Sequence, residues 1–220
     1  MDPRARKDFG IILGTTLTLN GLIIGFTFSM AIGRYEQRKN YEEAEANAIG
    51  TEYVRADLMA AADGAQVRTL LKAYVDERLA FYKADSEAEI QQIKTRTAGL
   101  QTQLWVAVRG TAASQPTAIG ALVIAGMNDV LNSQGHTEFS WWNRIPIAAW
   151  IFMAAIAVIS HLLIGYGAQN TKSESILLMV LPLVVSISFL LIADIDSPRS
   201  GIIRVTPRDL TAFAESLRAR

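Results

Sequence analysis

Cysteine is absent from this 220-residue sequence, and histidine occurs only twice. The chain therefore has no disulfide, no thiolate nucleophile and no metal site of the cysteine–histidine type, while its redox compartment stays undetermined. Net charge is absent too, because 21 basic residues balance 21 acidic ones, so nucleic acid is not an expected partner. No P-loop, dinucleotide fingerprint, nucleophile elbow or HExxH motif occurs. Nothing in the sequence therefore calls for an enzyme, a metal or a cofactor.

Proline is scarce, and none occurs between Pro3 and Pro116. A helix that starts in the first apolar run can therefore continue into the polar middle of the chain. That run, residues 9–33, carries no charge, and as a helix it would be about 37 Å long, more than the ~30 Å of a bilayer core. Further apolar runs occupy residues 145–165 and 176–195. The sequence predicts an all-α integral membrane bundle with about three transmembrane helices and a long helical cytoplasmic segment.

The segment after the first apolar run is polar, and its periodicity predicts further helices. We expect a break at Asp63-Gly64 and a new helix after Ser86, which begins a capping-box pattern. A fourth helix is expected to start at residues 114–116, where a proline suits the first turn, and to end by Gly135.

Turn-forming residues predict the remaining connections. Residues 165–175 form a short polar turn, so the second and third apolar runs are expected to pair as a membrane hairpin. After the third run, residues 202–205 have the composition of a short extended piece. An amphipathic helix is expected after Asp209.

The predicted organisation has four parts. They are an N-terminus with the first transmembrane helix at 1–33, a cytoplasmic helical region at 34–143, a transmembrane hairpin at 144–195 and a cytoplasmic tail at 196–220. Three spans put the termini on opposite sides, and most near-membrane arginines lie on the side of the helical region and the tail. The positive-inside rule places that side in the cytoplasm, whereas the basic residues before the first span argue for the reverse.

Four polar residues lie at membrane depth or at the end of a span and are candidates for function. Asn20 lies in the middle of the first span and His161 two-thirds along the second. Each either hydrogen-bonds a neighbouring helix or handles protons or ions. Asp194 and Asp196, at the end of the third span, either form a structural turn or bind a cation. A membrane enzyme or a proton-linked transporter would bring His161 and Asp194 together.

Adjacent carboxylates are the nearest approach to an acid–base pair in the polar segment. Glu42/Glu43 and Asp76/Glu77 are neighbours in sequence, and neighbouring residues diverge around a helix. We therefore interpret both pairs as solvated surface.

One face of the first apolar run combines small, polar and apolar side chains at three-to-four-residue spacing. Copies of such a helix could line a pore, with leucine and phenylalanine as an apolar constriction. Alternatively, the small residues could pack helices without a pore. The residues that share this face are Thr15, Thr18, Leu22, Phe26, Ser29 and Gly33.

The sequence IGFTFSMAIGRYEQRK resembles the neck-lining membrane helix of bestrophins, with Gly25-Phe26 and Arg34-Tyr35 at matching positions. Three longer blocks, EEAEANAIGTEYVRADL, AYVDERLAFY and DIDSPRSGIIRV, resemble the bacterial bestrophin-like membrane family and cover most of the chain. The resemblance implies a bestrophin-like helical fold and a multi-pass protein of the cell inner membrane.

Bestrophins are pentameric anion channels, so the resemblance implies a homo-oligomer with lipid and small inorganic anions such as chloride as partners. It places Phe26, Leu22 and Thr18 at the inner, middle and outer positions of a hydrophobic neck, and Arg34 and Tyr35 at the pore exit. Thr18 departs from the apolar residue that is usual there, and the sequence lacks the span that usually precedes this helix. The alternative function is a non-conducting oligomeric scaffold whose cytoplasmic helices bind a partner.

Overall fold

The computed structural model describes residues 3–114, 117–167 and 175–219. Over these residues the chain forms α-helices and no β-strand, which confirms the all-α prediction. The predicted helix start at residues 114–116 and the polar turn at 165–175 lie partly outside the described residues. The helices are α1 Pro3–Arg55, α2 Ala61–Lys83, α3 Glu87–Ser114, α4 Ala118–Trp142, α5 Ile147–Gly167, α6 Ser175–Asp196 and α7 Arg208–Arg218.

Three helical stretches are long and apolar enough to cross a membrane by length and composition. They are Arg4–Leu58, Ala118–Gly167 and Leu178–Asp196. The first two contain the predicted spans 9–33 and 145–165, and the third overlaps the predicted span 176–195 from residue 178 onward. The third includes Pro182 inside α6, where a helix in lipid tolerates it better than one in water. The three-span prediction is therefore confirmed at the level of the helices.

The chain divides into two compact units. The apolar unit consists of Met1–Tyr35 and Arg144–Arg204, and the polar unit consists of Glu36–Asn143 and Val205–Arg220. Each unit therefore combines residues that are distant in sequence, and α1 contributes to both. The four-part division and its cytoplasmic assignment stay predictions.

The predicted break at Asp63-Gly64 is wrong. α1 ends earlier, at Arg55, and both residues lie in the first turn of α2. Gly64 is required by packing, because a Cβ atom there would stand 2.3 Å from the carbonyl oxygen of Ala56. The glycine marks a close approach of two backbone segments instead of a helix end.

The start of α3 agrees with the capping pattern. The Ser86 Oγ accepts the Glu89 N–H at 3.2 Å, and the Glu89 carboxylate accepts the Asp85 N–H at 3.3 Å. These two bonds satisfy N–H groups that have no partner within the helix. The helix then begins at Glu87 as expected.

The predicted end of α4 at Gly135 is wrong, since the helix continues to Trp142. A single interior glycine costs about 1 kcal/mol and does not by itself stop a helix. Arg38, on α1, donates to the carbonyl oxygens of Ser140 at 3.1 Å and Asn143 at 3.3 Å. A cation from another helix thus satisfies the final turn of α4.

The core of the polar unit is built from five helices. Ile49 of α1, Leu71 of α2, Leu104 of α3, Met127 of α4 and Leu210 of α7 are all fully buried in one cluster. The predicted amphipathic end helix is α7, which buries its apolar stripe against this cluster. Burial of these side chains, at roughly 1.5–3 kcal/mol each, holds the helices together.

Candidate functional site

The face of α1 that carries the predicted neck residues is exposed in the chain. Leu22 is 52% exposed and Phe26 62%, and Thr18 and Ser29 are exposed as well. A Cβ atom added at Gly25 would meet nothing within 4 Å. No side chain of the apolar unit therefore covers this face in the part of the chain that the structure describes.

The opposite face of α1 is buried. Asn20 and Thr27 are each 3% exposed and Ala31 is fully buried. Ala31 lies in an apolar cluster with Ile145 of the segment before α5 and Ile192 of α6. The helix thus has one packed side and one open side, as its periodicity predicts.

The threonines of α1 satisfy their hydroxyl groups locally. The hydroxyls of Thr15, Thr16, Thr18 and Thr27 each donate to the carbonyl oxygen four residues earlier, at 2.8–2.9 Å. Because the hydroxyl proton is used in this bond, Thr18 presents a methyl group and oxygen lone pairs to the open face. The departure from an apolar neck residue is therefore smaller than its residue type suggests.

Arg34 and Tyr35, the predicted exit residues, lie toward the packed side of α1. Arg34 forms a salt bridge with Asp196 at 3.4 Å, with the two side chains 20% and 7% exposed. Tyr35 packs against the cluster around Ile192. The Arg34 charge is thus partly neutralised, and its role at a pore exit stays a prediction.

Asp194 and Asp196 both bind backbone N–H groups. Asp196 accepts the Ile145 N–H at 3.0 Å, while Asp194 accepts those of Ile202 and Ile203 at 2.7 and 2.8 Å. The two Asp194 bonds close a turn in which Gly201 has a φ of 118°, whereas the Asp196 bond ties the end of α6 to the segment before α5. The geometry favours the structural turn over a cation site, and no metal-binding group of three or more acidic or histidine side chains occurs among the described residues.

The turn also replaces the extended piece expected at 202–205, which forms no strand. Gly201 is needed for two reasons. Its positive φ is unfavourable for other residues, and a Cβ atom there would stand 2.1 Å from the Asp194 Oδ1. The carboxylate and the glycine therefore belong to one compact turn.

Asn20 is buried and His161 is half-buried, and neither makes the interhelical bond that the sequence suggests through the amide oxygen of Asn20 or the ring nitrogens of His161. The His161 Nδ1 lies 2.5 Å from the carbonyl oxygen of Ala157 on its own helix, and its Nε2 is buried without a hydrogen-bond partner. The Asn20 Oδ1 is likewise buried without one. Both atoms are acceptors that a water molecule or another chain could satisfy.

His161 and Asp194 lie far apart. Asp196 bonds to the N–H of Ile145, just before α5, so the end of α6 lies beside the beginning of α5. His161 follows Ile145 by about four helical turns, or roughly 20 Å. A proton-linked mechanism that needs both side chains in one site is therefore not supported.

The polar unit contains a buried charge network that the sequence does not reveal. Arg78 is fully buried, and its Nε donates to the Glu45 Oε1 at 2.5 Å and its Nη1 to the Glu138 Oε1 at 3.1 Å. Burial alone would lower the Arg78 pKa, but the charge of Glu45 raises it, so the guanidinium stays charged. Thr137 adds a 2.8 Å bond to the Glu45 Oε2.

Two further carboxyls are buried. Glu42, interpreted as solvated surface in the sequence, is only 3% exposed, and Glu52 is fully buried. Burial raises the Glu52 pKa to about 8; Arg55 lowers it and Asp129 raises it further. The interpretation of Glu43 as surface holds, since it is exposed. Glu42 and Glu52 lie at positions where the helical repeat favours apolar residues, and this spacing is the signal of burial in the sequence. The spacing does not identify the groups that the carboxyls contact.

Comparisons with known proteins give one consistent result. The Bestrophin-like domain model matches residues 9–210. A crystal structure of a bacterial bestrophin homologue from Klebsiella pneumoniae is 11% identical, with a TM-score of 0.74 over 95% of this chain and 86% of that one. A crystal structure described as a membrane protein is 12% identical, with a TM-score of 0.72 over 94% and 84%. No curated protein sequence matches. At this identity the structures establish the fold.

Proposed function

The chain is a member of the bestrophin-like family, and from that premise we propose that it is an oligomeric ion channel whose neck is lined by α1. Phe26, Leu22 and Thr18 form the constriction from the inner to the outer side, and Ser29 continues the same face. The other two spans, in α5 and α6, face lipid. The protein resides in the cell inner membrane with the polar unit in the cytoplasm.

The observation that carries this proposal is the open face of α1. Phe26 is 62% exposed, whereas Asn20 on the other side of the helix is 3% exposed. Lipid gains little from the glycines and hydroxyls of the open face, but a neighbouring helix or a water-filled path can use them. Because one helix cannot enclose a path, several chains are required, and the family resemblance favours five.

Anions such as chloride are the proposed cargo, on the resemblance to bestrophins. The span at residues 9–33 contains no basic side chain, and Arg34, just beyond it, is paired with Asp196. Selectivity should therefore be measured directly. A reversal potential that follows the chloride gradient supports anion conduction, and one that follows the cation gradient contradicts it while leaving the channel itself intact.

Planar-bilayer recording of the purified protein tests the neck. Leu22→Ala and Phe26→Ala are expected to widen the constriction and raise the open-state conductance, because less apolar surface borders the path. Leu190→Ala on α6 is the matched control, since Leu190 is 70% exposed and is expected to face lipid. No conductance, or a conductance that neither neck substitution changes, contradicts the proposal.

The second candidate is a non-conducting scaffold. The exposed glycines of α1 favour it, because they lie in the same open stretch of helix as the proposed neck. A Cβ atom at Gly14, Gly21 or Gly25 would meet nothing within 4 Å, which leaves room for close helix packing. Mass measurement in nanodiscs separates the candidates. A monomer or dimer cannot close a path from one helix per chain, whereas a pentamer can.

A further inference from the structure

Two aromatic side chains at the end of α4 are exposed. Phe139 is 69% exposed and Trp142 64%, whereas every other aromatic side chain of the polar unit that the structure describes is buried or half-buried. Because the two residues are three positions apart in a helix, their rings lie on the same side of α4. We call this surface the aromatic edge. Two neighbouring large rings at this exposure indicate a surface that contacts a partner.

Lys94 of α3 orients one of the two rings. Its Nζ lies 5.3 Å from the centre of the Trp142 ring and 3.1 Å from the Glu138 Oε2. A cation over the face of an indole is favourable, so the contact holds the ring in place while most of its surface stays exposed. The aromatic edge is therefore ordered before any partner binds.

The covalent chain keeps the aromatic edge close to the membrane spans. Trp142 precedes Ile145, the first residue of the second apolar run, by three residues, so at most about 11 Å separates their Cα atoms. Arg38, which donates to the carbonyl oxygen of Asn143, follows Gly33 by five residues, or about 7.5 Å along α1. Gly33 is the last residue of the first apolar run. Short segments of chain thus tie the last turn of α4 to the ends of two spans.

The medium found at such a distance from a span is the headgroup layer of the bilayer. A bilayer is about 30 Å thick in its hydrocarbon core and about 40–45 Å with the headgroups, which leaves about 5–8 Å of headgroup layer on each side. Tryptophan suits this layer, because its ring contacts acyl chains while its N–H donates to lipid oxygens. Arg144, exposed two residues after Trp142, adds a cation for lipid phosphates.

We propose that the aromatic edge inserts into the headgroup layer of the bilayer and contacts phospholipid there. Phe139 contacts acyl chains, and Trp142 contacts the ester and phosphate oxygens. In the chain the edge is followed by the exposed apolar start of α5, where Ile147 is 73% and Ile151 63% exposed. The edge thereby fixes the depth of the last turn of α4 in the lipid. The proposal depends on α5 crossing the membrane and not on conduction, so it applies to a channel and to a scaffold alike.

A single spin label can report which medium surrounds the edge, because the chain contains no cysteine. Phe139→Cys is labelled with a nitroxide in the full chain, reconstituted in phosphatidylcholine liposomes. Oxygen concentrates in lipid and a nickel chelate stays in water, so the ratio of their collision rates with the label measures depth. Asn132→Cys is the matched control, since Asn132 is exposed on the same side of α4, two turns or about 10.5 Å earlier. The oxygen-to-nickel ratio is expected to be several-fold higher at Phe139 than at Asn132.

Two results at Phe139 overturn the proposal. A ratio equal to that at Asn132 means that the edge lies in water. Low collision rates with both reagents mean that protein, such as a second copy of the chain, covers the edge. Asn143→Cys, at an exposed position beside Trp142, keeps both rings and provides the same measurement if the loss of Phe139 displaces the edge.

The contribution of the rings is tested in the Asn143→Cys background. Phe139→Ser combined with Trp142→Ser should lower the ratio to near the value at Asn132. Val106→Ser, which removes a 53% exposed apolar side chain from α3, should leave the ratio unchanged. An unchanged ratio after the loss of both rings would show that chain connectivity alone sets the depth, and would overturn the anchoring role. The measurement involves no ion flux, so its failure is distinguishable from a failure of the channel proposal.

Discussion

The two halves of α1 satisfy their polar groups in opposite ways. In the apolar unit, the hydroxyls of Thr15, Thr16 and Thr18 bond to carbonyl oxygens of the same helix. In the polar unit, Arg38 and Glu45 find their partners on other helices, tens of residues away in sequence. The threonines of the spanning half are satisfied within their own helix, whereas the buried charges of the other half depend on the fold around them.

The difference follows from the surroundings of each half. Lipid offers no hydrogen bonds, so a spanning helix must satisfy its polar groups internally or through another protein helix. In the helical bundle of the polar unit, a buried charge is tolerated because several helices converge on it with opposite charges and donors. Substitutions should therefore cost little in the first half and much in the second.

Arg78→Met should give the largest effect. It leaves Glu45 buried without its cation, and breaking such a pair costs about 3–5 kcal/mol of unfolding free energy. Arg96→Met is the matched control, since Arg96 is 51% exposed in its pair with Glu77 and should change stability far less. Denaturant unfolding of the detergent-solubilised protein measures both.

A double substitution separates charge loss from packing loss. Arg78→Met with Glu45→Met removes both charges and should be more stable than Arg78→Met alone, because no unpaired carboxylate remains. An equal or greater loss in the double variant would show that side-chain shape, and not the buried charge, makes this half sensitive.

Gly64→Ala should give the next effect, about 1–3 kcal/mol, because the added methyl group meets the Ala56 carbonyl oxygen at 2.3 Å and a backbone must shift. Gly99→Ala on α3 is the opposite case. Nothing lies within 4 Å of its Cβ position, so the substitution should stabilise the helix by up to about 1 kcal/mol. A gain in both variants would mean that helix propensity, not the close approach, dominates.

Local signals explain which parts of the fold were predictable. The three spans, the capping of α3 at Ser86 and the two faces of α1 depend on spacing within one segment, so the sequence contains them. The break at Asp63-Gly64 and the end of α4 at Gly135 were wrong because the deciding partners, Ala56 and Arg38, lie in other segments. Glycine indicates a special position but not its cause.

The candidate site was also predictable only where the signal lies within one segment of the chain. The open face of α1 followed from periodicity, whereas the burial of Glu42 and Glu52 did not. A glutamate in an amphipathic helix is normally solvated, and only the converging helices reveal the exceptions. The pairing of Arg34 with Asp196 was equally invisible, because the two residues are 162 positions apart.

Glu52→Gln should change the pH dependence of stability. The folded state raises the Glu52 pKa from 4.5 to about 8, so the cost of ionising the buried carboxyl is absent below about pH 4.5 and grows as the pH rises to about 8. Glu52→Gln should therefore match the parent protein near pH 4.5 and exceed it by about 1–2 kcal/mol at pH 9. Unfolding at both pH values measures this, with exposed Glu43→Gln unchanged. A variant that is less stable at pH 9 would show that Arg55 compensates the charge.

Thr18→Val should give the smallest effect on stability, below about 0.5 kcal/mol, because the hydroxyl bonds only to its own helix among the described contacts. Thr137→Val removes the same group where it is buried against Glu45, and should cost about 1–3 kcal/mol. If α1 lines a path, Thr18→Val should nonetheless lower conductance, since a more apolar neck dewets more readily. Comparable losses of stability in Thr18→Val and Thr137→Val would contradict the distinction between the two halves of α1. A Thr18→Val variant with unchanged fold and unchanged conductance would show that Thr18 is not part of the neck.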